Sequence, residues 1–244
     1  MKRFAAFLAI ALLPFIAACS GGGGGGGGSG TSSAAGAGGG SGGGSGSPQP
    51  KQNLESISTP PQPWTFPATT LTATNAGNDY SLSISNVAPS GTVQFQGHTA
   101  DTVVLAIGLS ENGGVIFLQD ATLYYVTNPF QPLGLAGSVN TVPYTALVTS
   151  FTPFPATLTV GSSGPILSAT YSDPSGNVLG QLSETYTVTA DSPTALFVNI
   201  EATGTFNGTA IGQTITYALS DTGSLQPTLA DVEITVNGTT LTFH

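Results

Sequence analysis

Residues 232–243 read Val-Glu-Ile-Thr-Val-Asn-Gly-Thr-Thr-Leu-Thr-Phe, and this stretch decides the fold class. Asn237-Gly238 fits the two-residue type I′ turn that joins antiparallel strands. Pairing across that turn sets Val236 opposite Thr239, Ile234 opposite Leu241, and Val232 opposite Phe243. The apolar side chains then share one face, while the other face carries Glu233, Thr235, Thr240 and Thr242. The stretch therefore predicts a β-hairpin with one face in a core.

Similar strand-and-turn patterns run through the chain from residue 64 onward, and apolar residues nowhere recur at helical spacing. A second hairpin is predicted to join residues 103–109 to residues 115–119 through a turn at 110–114, and a third turn is predicted at 173–177. Two segments alternate well and have predicted inward-facing residues: Tyr186, Val188 and Ala190, and Ile215, Tyr217 and Leu219. These patterns predict an all-β body of antiparallel, meander-type sheets forming a sandwich or a barrel.

The body also carries a weak internal repeat. Phe66-Pro67-Ala68-Thr69 recurs as Phe154-Pro155-Ala156-Thr157, and three further matches follow in the same order, 85 to 92 residues apart. Four collinear matches predict two tandem β repeats of 85–90 residues, at 64–153 and 154–244. Two architectures stay open: a small sandwich from each repeat, or one barrel or sandwich that contains both.

The first 18 residues have the composition of an export signal. Lys2 and Arg3 precede an apolar run, Phe4 to Ala18, which is shorter than the roughly 20 residues that a membrane-spanning helix needs. The run ends in Ile16-Ala17-Ala18-Cys19, which resembles the lipobox of bacterial lipoproteins. The resemblance implies that residues 1–18 are removed and that Cys19, the only cysteine, carries a covalent lipid. The alternative is an ordinary signal peptide with a chance cysteine near its cleavage site.

Residues 19–63 are predicted to be a tether. From Ser20 to Ser47 the chain is almost entirely Gly, Ser, Ala and Thr, a composition typical of flexible linkers. A coil of this kind, about 43 residues long, spans roughly 35–40 Å on average. Prolines are frequent between residues 48 and 63, which predicts a stiffer and more extended second part.

The charge balance excludes two classes of partner. The chain has 3 basic and 12 acidic residues, and removal of the leader would leave Lys51 as the only cation, for a formal net charge of −11. One cation cannot neutralise a row of phosphates, so nucleic acid is not expected as a partner. Attraction of a basic patch to anionic lipid headgroups is not expected either. Membrane attachment is therefore predicted to depend on the lipid of Cys19.

Candidate residues for catalysis and metal binding are few. The histidines are His98 and His244, and the conceivable Ser/His/Asp site would combine His98 with Asp101 or Asp79. Residues 173–177 could offer oxygens to a weak calcium site, but a β-turn with Asp173 in its first position explains them better. The body contains no nucleophile-elbow or zinc motif. We therefore predict a protein that is not an enzyme and has no cofactor or metal.

One segment departs from the repeat. Residues 126–135 read Val-Thr-Asn-Pro-Phe-Gln-Pro-Leu-Gly-Leu, and the two prolines argue against a central strand. A long loop is therefore predicted here. Its apolar residues either close the end of the barrel or sandwich, or contact a protein or a small apolar ligand. The candidate contact residues are Asn128, Phe130, Leu133 and Leu135.

Together these observations predict an exported, lipid-anchored protein. In enteric-type sorting, Ser20 after the lipidated cysteine implies an outer-membrane destination, on the periplasmic face or the cell surface. The body would be a non-enzymatic β module for binding or for envelope structure. A carrier that holds a small apolar molecule in a barrel lumen is the alternative, followed by a hydrolase.

Overall fold

The computed structural model describes residues 54–58, 66–87, 91–139, 141–220, 228–236 and 239–244. These residues form β-strands and turns and contain no helix, hence none long and apolar enough to cross a membrane. The strands are β1 (Ser56–Ser58), β2 (Phe66–Asn75), β3 (Asn78–Val87), β4 (Thr92–Phe95), β5 (His98–Glu111), β6 (Gly114–Val126), β7 (Gln131–Val139), β8 (Val142–Phe151), β9 (Thr157–Thr159), β10 (Ser163–Ser172), β11 (Val178–Ser192), β12 (Ala195–Phe206), β13 (Thr209–Ser220), β14 (Thr228–Val236) and β15 (Thr239–Phe243). The all-β prediction is confirmed.

Thirteen of these strands form one antiparallel sheet in the order β15-β14-β13-β12-β11-β10-β8-β7-β6-β5-β3-β2, with β4 paired to β5 beside this path. Most neighbours in the sheet are also neighbours in sequence, so the sheet is a meander, as predicted. The outermost strands meet: the N–H of Thr72 donates to the carbonyl of His244 at 3.0 Å, and the N–H of His244 donates to the carbonyl of Thr72 at 3.1 Å. The sheet is therefore nearly closed into a barrel, which removes exposed edges.

The hairpin at residues 232–243 has the predicted register. Val232 pairs with Phe243, Ile234 with Leu241, and Val236 with Thr239. The predicted turn, Asn237-Gly238, lies outside the described residues.

The other predicted hairpins form, with local differences. The turn between β5 and β6 is Asn112-Gly113 alone, because Ser110 pairs with Val115 and Glu111 with Gly114. Both turn residues have positive φ, 48° and 81°, as a type I′ turn requires. The predicted five-residue turn was therefore too long.

The alternation in the two predicted strand segments is largely confirmed. Tyr186 and Val188 on β11, and Ile215, Tyr217 and Leu219 on β13, lie in the core. Ala190 is exposed, so its inward assignment was wrong. A register shift between Ala190 and Ser192 disturbs the alternation at this end of β11.

One apolar core fills the barrel. The inward-facing hydrophobic side chains of the described strands are 0–8% exposed and form a single cluster, whose largest fully buried members are Tyr171, Tyr217, Phe117 and Phe243. The outward face of β11 is polar instead: Gln181, Ser183, Thr185 and Thr187 are exposed. Burial of one face of each strand is the main stabilising contribution to this fold.

The sheet runs without a break through the predicted boundary between residues 153 and 154. β8 precedes this boundary and pairs with β10, which follows it. Of the two architectures left open, the structure has the single body. Whether the two halves arose by duplication stays a prediction.

A second, two-stranded sheet joins the start of the described chain to one end of the barrel. β1 pairs antiparallel with β9, the N–H of Leu54 donates to the carbonyl of Ser192, and the N–H of Val160 donates to the carbonyl of Glu55. Leu158 on β9 is buried in the core. Residues 54–58, which lie within the predicted tether, are thus fixed to the barrel by backbone pairing.

Candidate functional site

The two ends of the barrel differ in their connections. The turn end carries the two-residue turns after β2, β5 and β12 and the turn after β10. The loop end carries the β6–β7 turn, the β8–β9 connection and the β1–β9 sheet. The predicted contact residues around Phe130 lie at the loop end, so this end is the candidate functional site.

The β6–β7 connection is a turn of four residues, 127–130, rather than the long loop predicted. Asn128 has a φ of 61°, and the Asn128-Pro129 peptide bond is cis. Phe130 turns into the barrel and is 3% exposed, with its ring 5.3 Å from that of Tyr125 and 6.3 Å from that of Phe151. The turn thus places an aromatic side chain in the end of the core.

β7 follows directly and is a central strand between β6 and β8, which corrects the expectation drawn from Pro129 and Pro132. Tyr124 pairs with Gly134 and Tyr125 with Pro132, so Leu133 is the extra residue of a β-bulge. A bulge is one of the places where a strand tolerates proline, because it interrupts the ladder of hydrogen bonds. The bulge leaves Leu133 half-buried near the surface, while Leu135 is in the core.

The β4–β5 hairpin folds over the outside of this region. The ring of Phe95 stacks on that of Tyr124, with centroids 4.0 Å apart and an angle of 7° between the planes. Gly134 lies beneath the stack: a Cβ there would come within 3.0 Å of the Phe95 ring and 2.3 Å of the carbonyl oxygen of Ala146. Glycine at this position allows the hairpin to lie close to the sheet.

A groove of about 660 Å³ lies between this hairpin, the β6–β7 turn and β8. The imidazole of His98 is the one titratable side chain in its lining. The lining comprises Gln96, His98, Pro129, Phe130, Gln131, Pro132, Leu133, Leu147, Val148, Thr149, Ser150, Phe151 and Pro153. Of the four candidate contact residues, Phe130 and Leu133 line the groove, Asn128 is exposed in the turn, and Leu135 is buried in the core. The groove therefore offers a contact surface of mixed polar and apolar character.

The candidate catalytic residues do not form a triad. Asp79 lies at the turn end, where it accepts a hydrogen bond from the Thr74 hydroxyl, whereas His98 is at the loop end. The carboxylate of Asp101 accepts a hydrogen bond from the hydroxyl of Thr127 at 3.3 Å. Within the described chain, His98 makes no hydrogen bond to either aspartate, so no acid orients its ring.

The turn at residues 173–177 satisfies its own oxygens. The Asp173 carboxylate accepts hydrogen bonds from the backbone N–H groups of Ser175 and Asn177 and from the side-chain amide of Asn177, at 2.8–2.9 Å. The N–H of Gly176 donates to the Asp173 carbonyl, which completes the predicted β-turn. In the described part of the chain, no group of three or more His, Cys, Asp or Glu side chains could hold a metal ion.

We expect Asp173→Ala to lower the melting temperature by a few degrees at pH 7, because the turn loses three hydrogen-bond acceptor contacts. The side-chain amide and backbone N–H of Asn177 hold the pKa of Asp173 below its usual value. The stability that the Asp173 carboxylate contributes is therefore present above the ordinary pKa of an aspartate, and it is lost as the pH falls through the lowered pKa. Thermal melts at pH 7 and pH 2, with and without calcium, check this. A calcium-dependent rise in the wild-type melting temperature would contradict the turn interpretation.

Sequence reasoning missed a set of polar residues inside the barrel. Gln119, Glu184 and Gln213 are all buried, and the side-chain amide of Gln119 donates to the hydroxyl of Tyr144 at 2.6 Å. The signal was available: residues 182–186 read Leu-Ser-Glu-Thr-Tyr, and strict alternation places Glu184 on the inward face of Leu182 and Tyr186.

Comparison with known proteins yields no relative. No family model matches the chain, and neither curated proteins nor solved structures show a significant similarity to it. A function for this chain therefore rests on its own residues.

Proposed function

We propose that this chain is an exported lipoprotein, attached to a membrane by lipid on Cys19, whose barrel serves binding or envelope structure without catalysis. The observation that carries the proposal is the lipobox-like Ile16-Ala17-Ala18-Cys19 at the end of a basic and apolar leader. The only cysteine of the chain occupies the position where lipidation would take place. A second membrane signal through basic residues is lacking, so the anchor would bear the attachment.

Two features of the barrel support a role at the end of a tether. Residues 54–58 lie within the proline-containing part of the predicted tether and are held at the loop end by backbone hydrogen bonds, from β1 to β9 and from Leu54 to Ser192. The exposed positions on strands such as β11 carry threonine, serine and glutamine, which suit an aqueous surface. The membrane contact would then be confined to the lipid and the barrel would stand in water.

The core favours this proposal over a carrier with an apolar lumen. Leu82, Phe117, Tyr171, Val198, Tyr217 and Phe243 point inward and are almost fully buried. Side chains at native packing occupy the space that a ligand would need. Native mass spectrometry of the barrel purified from cells is expected to give the mass of the chain alone. A retained small-molecule mass would support the carrier.

The lipid attachment has a direct test in Cys19→Ser. We expect the wild-type chain to incorporate labelled fatty acid and to sediment with membranes, and the variant to lose both because serine has no thiol for the thioether bond. Ser20→Ala is the matched control and should retain the label. Undiminished labelling of Cys19→Ser would contradict the proposal. Absence of label from both chains would indicate an ordinary secreted protein.

A further inference from the structure

Glu184 occupies an unusual place for a carboxyl group. It lies in the middle of β11 and is 1% exposed, which makes it the one acidic side chain among the buried residues of the described chain. Ionised carboxylates are almost never found at this depth, because loss of hydration strongly disfavours the charged form. The immediate surroundings therefore decide which form of the group the barrel can hold.

The cross-strand neighbours of Glu184 are apolar. Its partner on β10 is Leu167 and its partner on β12 is Ala202, both buried in the core. Ala202 in turn pairs with Gln213 on β13, which is 3% exposed. Glu184 and Gln213 thus flank one alanine on the inner face.

Gln213 is itself an unusual interior residue. Neither its side-chain oxygen nor its side-chain nitrogen makes a hydrogen bond within the described chain. The Gln213 amide therefore makes no hydrogen bond that would stabilise a charged carboxylate two strands away.

The other titratable groups of the interior are tyrosines, and no basic residue is among them. The chain has its lysines and arginine at Lys2, Arg3 and Lys51, all before the first described residue. The buried titratable side chains of the described strands, besides Glu184, are Tyr125, Tyr144, Tyr171, Tyr186 and Tyr217.

Two of these tyrosines lie within electrostatic range of Glu184. Burial raises the pKa of Tyr171 well above its ordinary value, and the charges of Tyr144 and Glu184 raise it further. Burial and Glu184 act in the same direction on the pKa of Tyr217. Both hydroxyls are thus neutral at physiological pH. They offer dipoles but no positive charge to the carboxyl group.

We propose that Glu184 is protonated inside the folded barrel, and that its ionisation makes the barrel progressively less stable as the pH rises. The sign follows from linkage. In the unfolded chain a glutamate loses its proton near pH 4.3, so above that pH unfolding releases one proton from Glu184. The stability that protonated Glu184 contributes to the fold is complete at lower pH. It is lost as the pH rises, until the group ionises within the fold. One proton corresponds to about a tenfold fall in the folding equilibrium constant per pH unit.

The test is denaturant unfolding of the full exported chain between pH 5 and pH 9, as wild type, Glu184→Gln and Glu201→Gln. Glu201 lies on the neighbouring strand β12 and is exposed, so it is the matched control. We expect the stability of Glu184→Gln not to decline with pH in this way. The ratio of its folding equilibrium constant to that of wild type should therefore rise about tenfold with each pH unit. Glu201→Gln should run parallel to wild type.

Parallel curves for Glu184→Gln and wild type would overturn the proposal, as would a destabilisation by Glu184→Gln that grows with pH. If the variant fails to fold, the wild type alone decides the matter. Its unfolding at pH 7, followed with a pH-indicator dye, should release one proton per chain. Release of no proton would show that Glu184 is already ionised in the barrel.

Discussion

A chain that ends at Val236 is expected to lose cooperative folding. The deletion removes β15, which buries Leu241 and Phe243 and carries one side of the pairing between His244 and Thr72. Loss of two large core side chains costs about 5–10 kcal/mol from typical values for single truncations. Net stabilities of domains are about 5–15 kcal/mol, so the loss takes most or all of what is available.

The deletion also leaves two unprotected edges. β14 loses its outer partner and β2 loses the strand that closes the sheet. Open edges favour pairing with other chains, so the shortened protein should aggregate. Circular dichroism melts and size-exclusion chromatography measure both effects. A single substitution, His244→Ala, is the control: its side chain is 72% exposed, and the backbone pairing with Thr72 does not need it. A cooperative melt of the shortened chain, close to that of wild type, would disprove the importance of closure.

Phe130→Ala is expected to destabilise the barrel by about 3–5 kcal/mol, the usual effect of removing a buried phenylalanine. The side chain fills the loop end of the core, between the rings of Tyr125 and Phe151. For a body of this size, the loss corresponds to a fall in melting temperature on the order of 10 °C. Differential scanning calorimetry of the variant and the wild type is the measurement.

The control for Phe130 comes from the same groove. Leu147 lines it but is 40% exposed, so Leu147→Ala should shift the melting temperature much less. Phe130→Leu should lie between alanine and wild type, because it retains part of the volume. If Phe130→Ala melted within about 2 °C of wild type, a shift worth roughly 1 kcal/mol or less, the ring would contribute little to the core. A role in contacting a partner would then become the better explanation for this residue.

The parts of the fold that could be predicted are those fixed by neighbouring residues. The register of the hairpin from Val232 to Phe243 follows from alternation and a two-residue turn, both local. The turn at Asp173 follows from one side chain that bonds to the backbone a few residues ahead. Local signals of this kind are visible in the sequence because the interaction and its cause lie within one short window.

The features that were not predicted depend on residues far apart in sequence. The pairing of β1 with β9 joins Ser56 to Thr159, and nothing in either short strand specifies the other. Closure through Thr72 and His244 is of the same kind. Whether two repeats give two sandwiches or one barrel depends on these contacts, so the sequence left both open.

The candidate site was misjudged for a different reason. Pro129 and Pro132 predict that no central strand forms here, whereas Pro129 lies in the β6–β7 turn and a β-bulge at Leu133 accommodates Pro132 within β7. The bulge changes which side chains face the core, and it does so without a turn signal in the sequence. Glu184 could not be identified from apolar alternation alone, because a carboxyl group on the inward face does not belong to the apolar pattern around it.

The contact between Thr72 and His244 has a consequence for the order of events in folding. The two residues are 172 positions apart, so β2 cannot pair with the end of the chain until the segment around residue 244 has left the ribosome. Contacts of such long sequence separation form slowly. The chain must therefore remain an open, incomplete sheet throughout its synthesis, and its final structure is reached only afterwards.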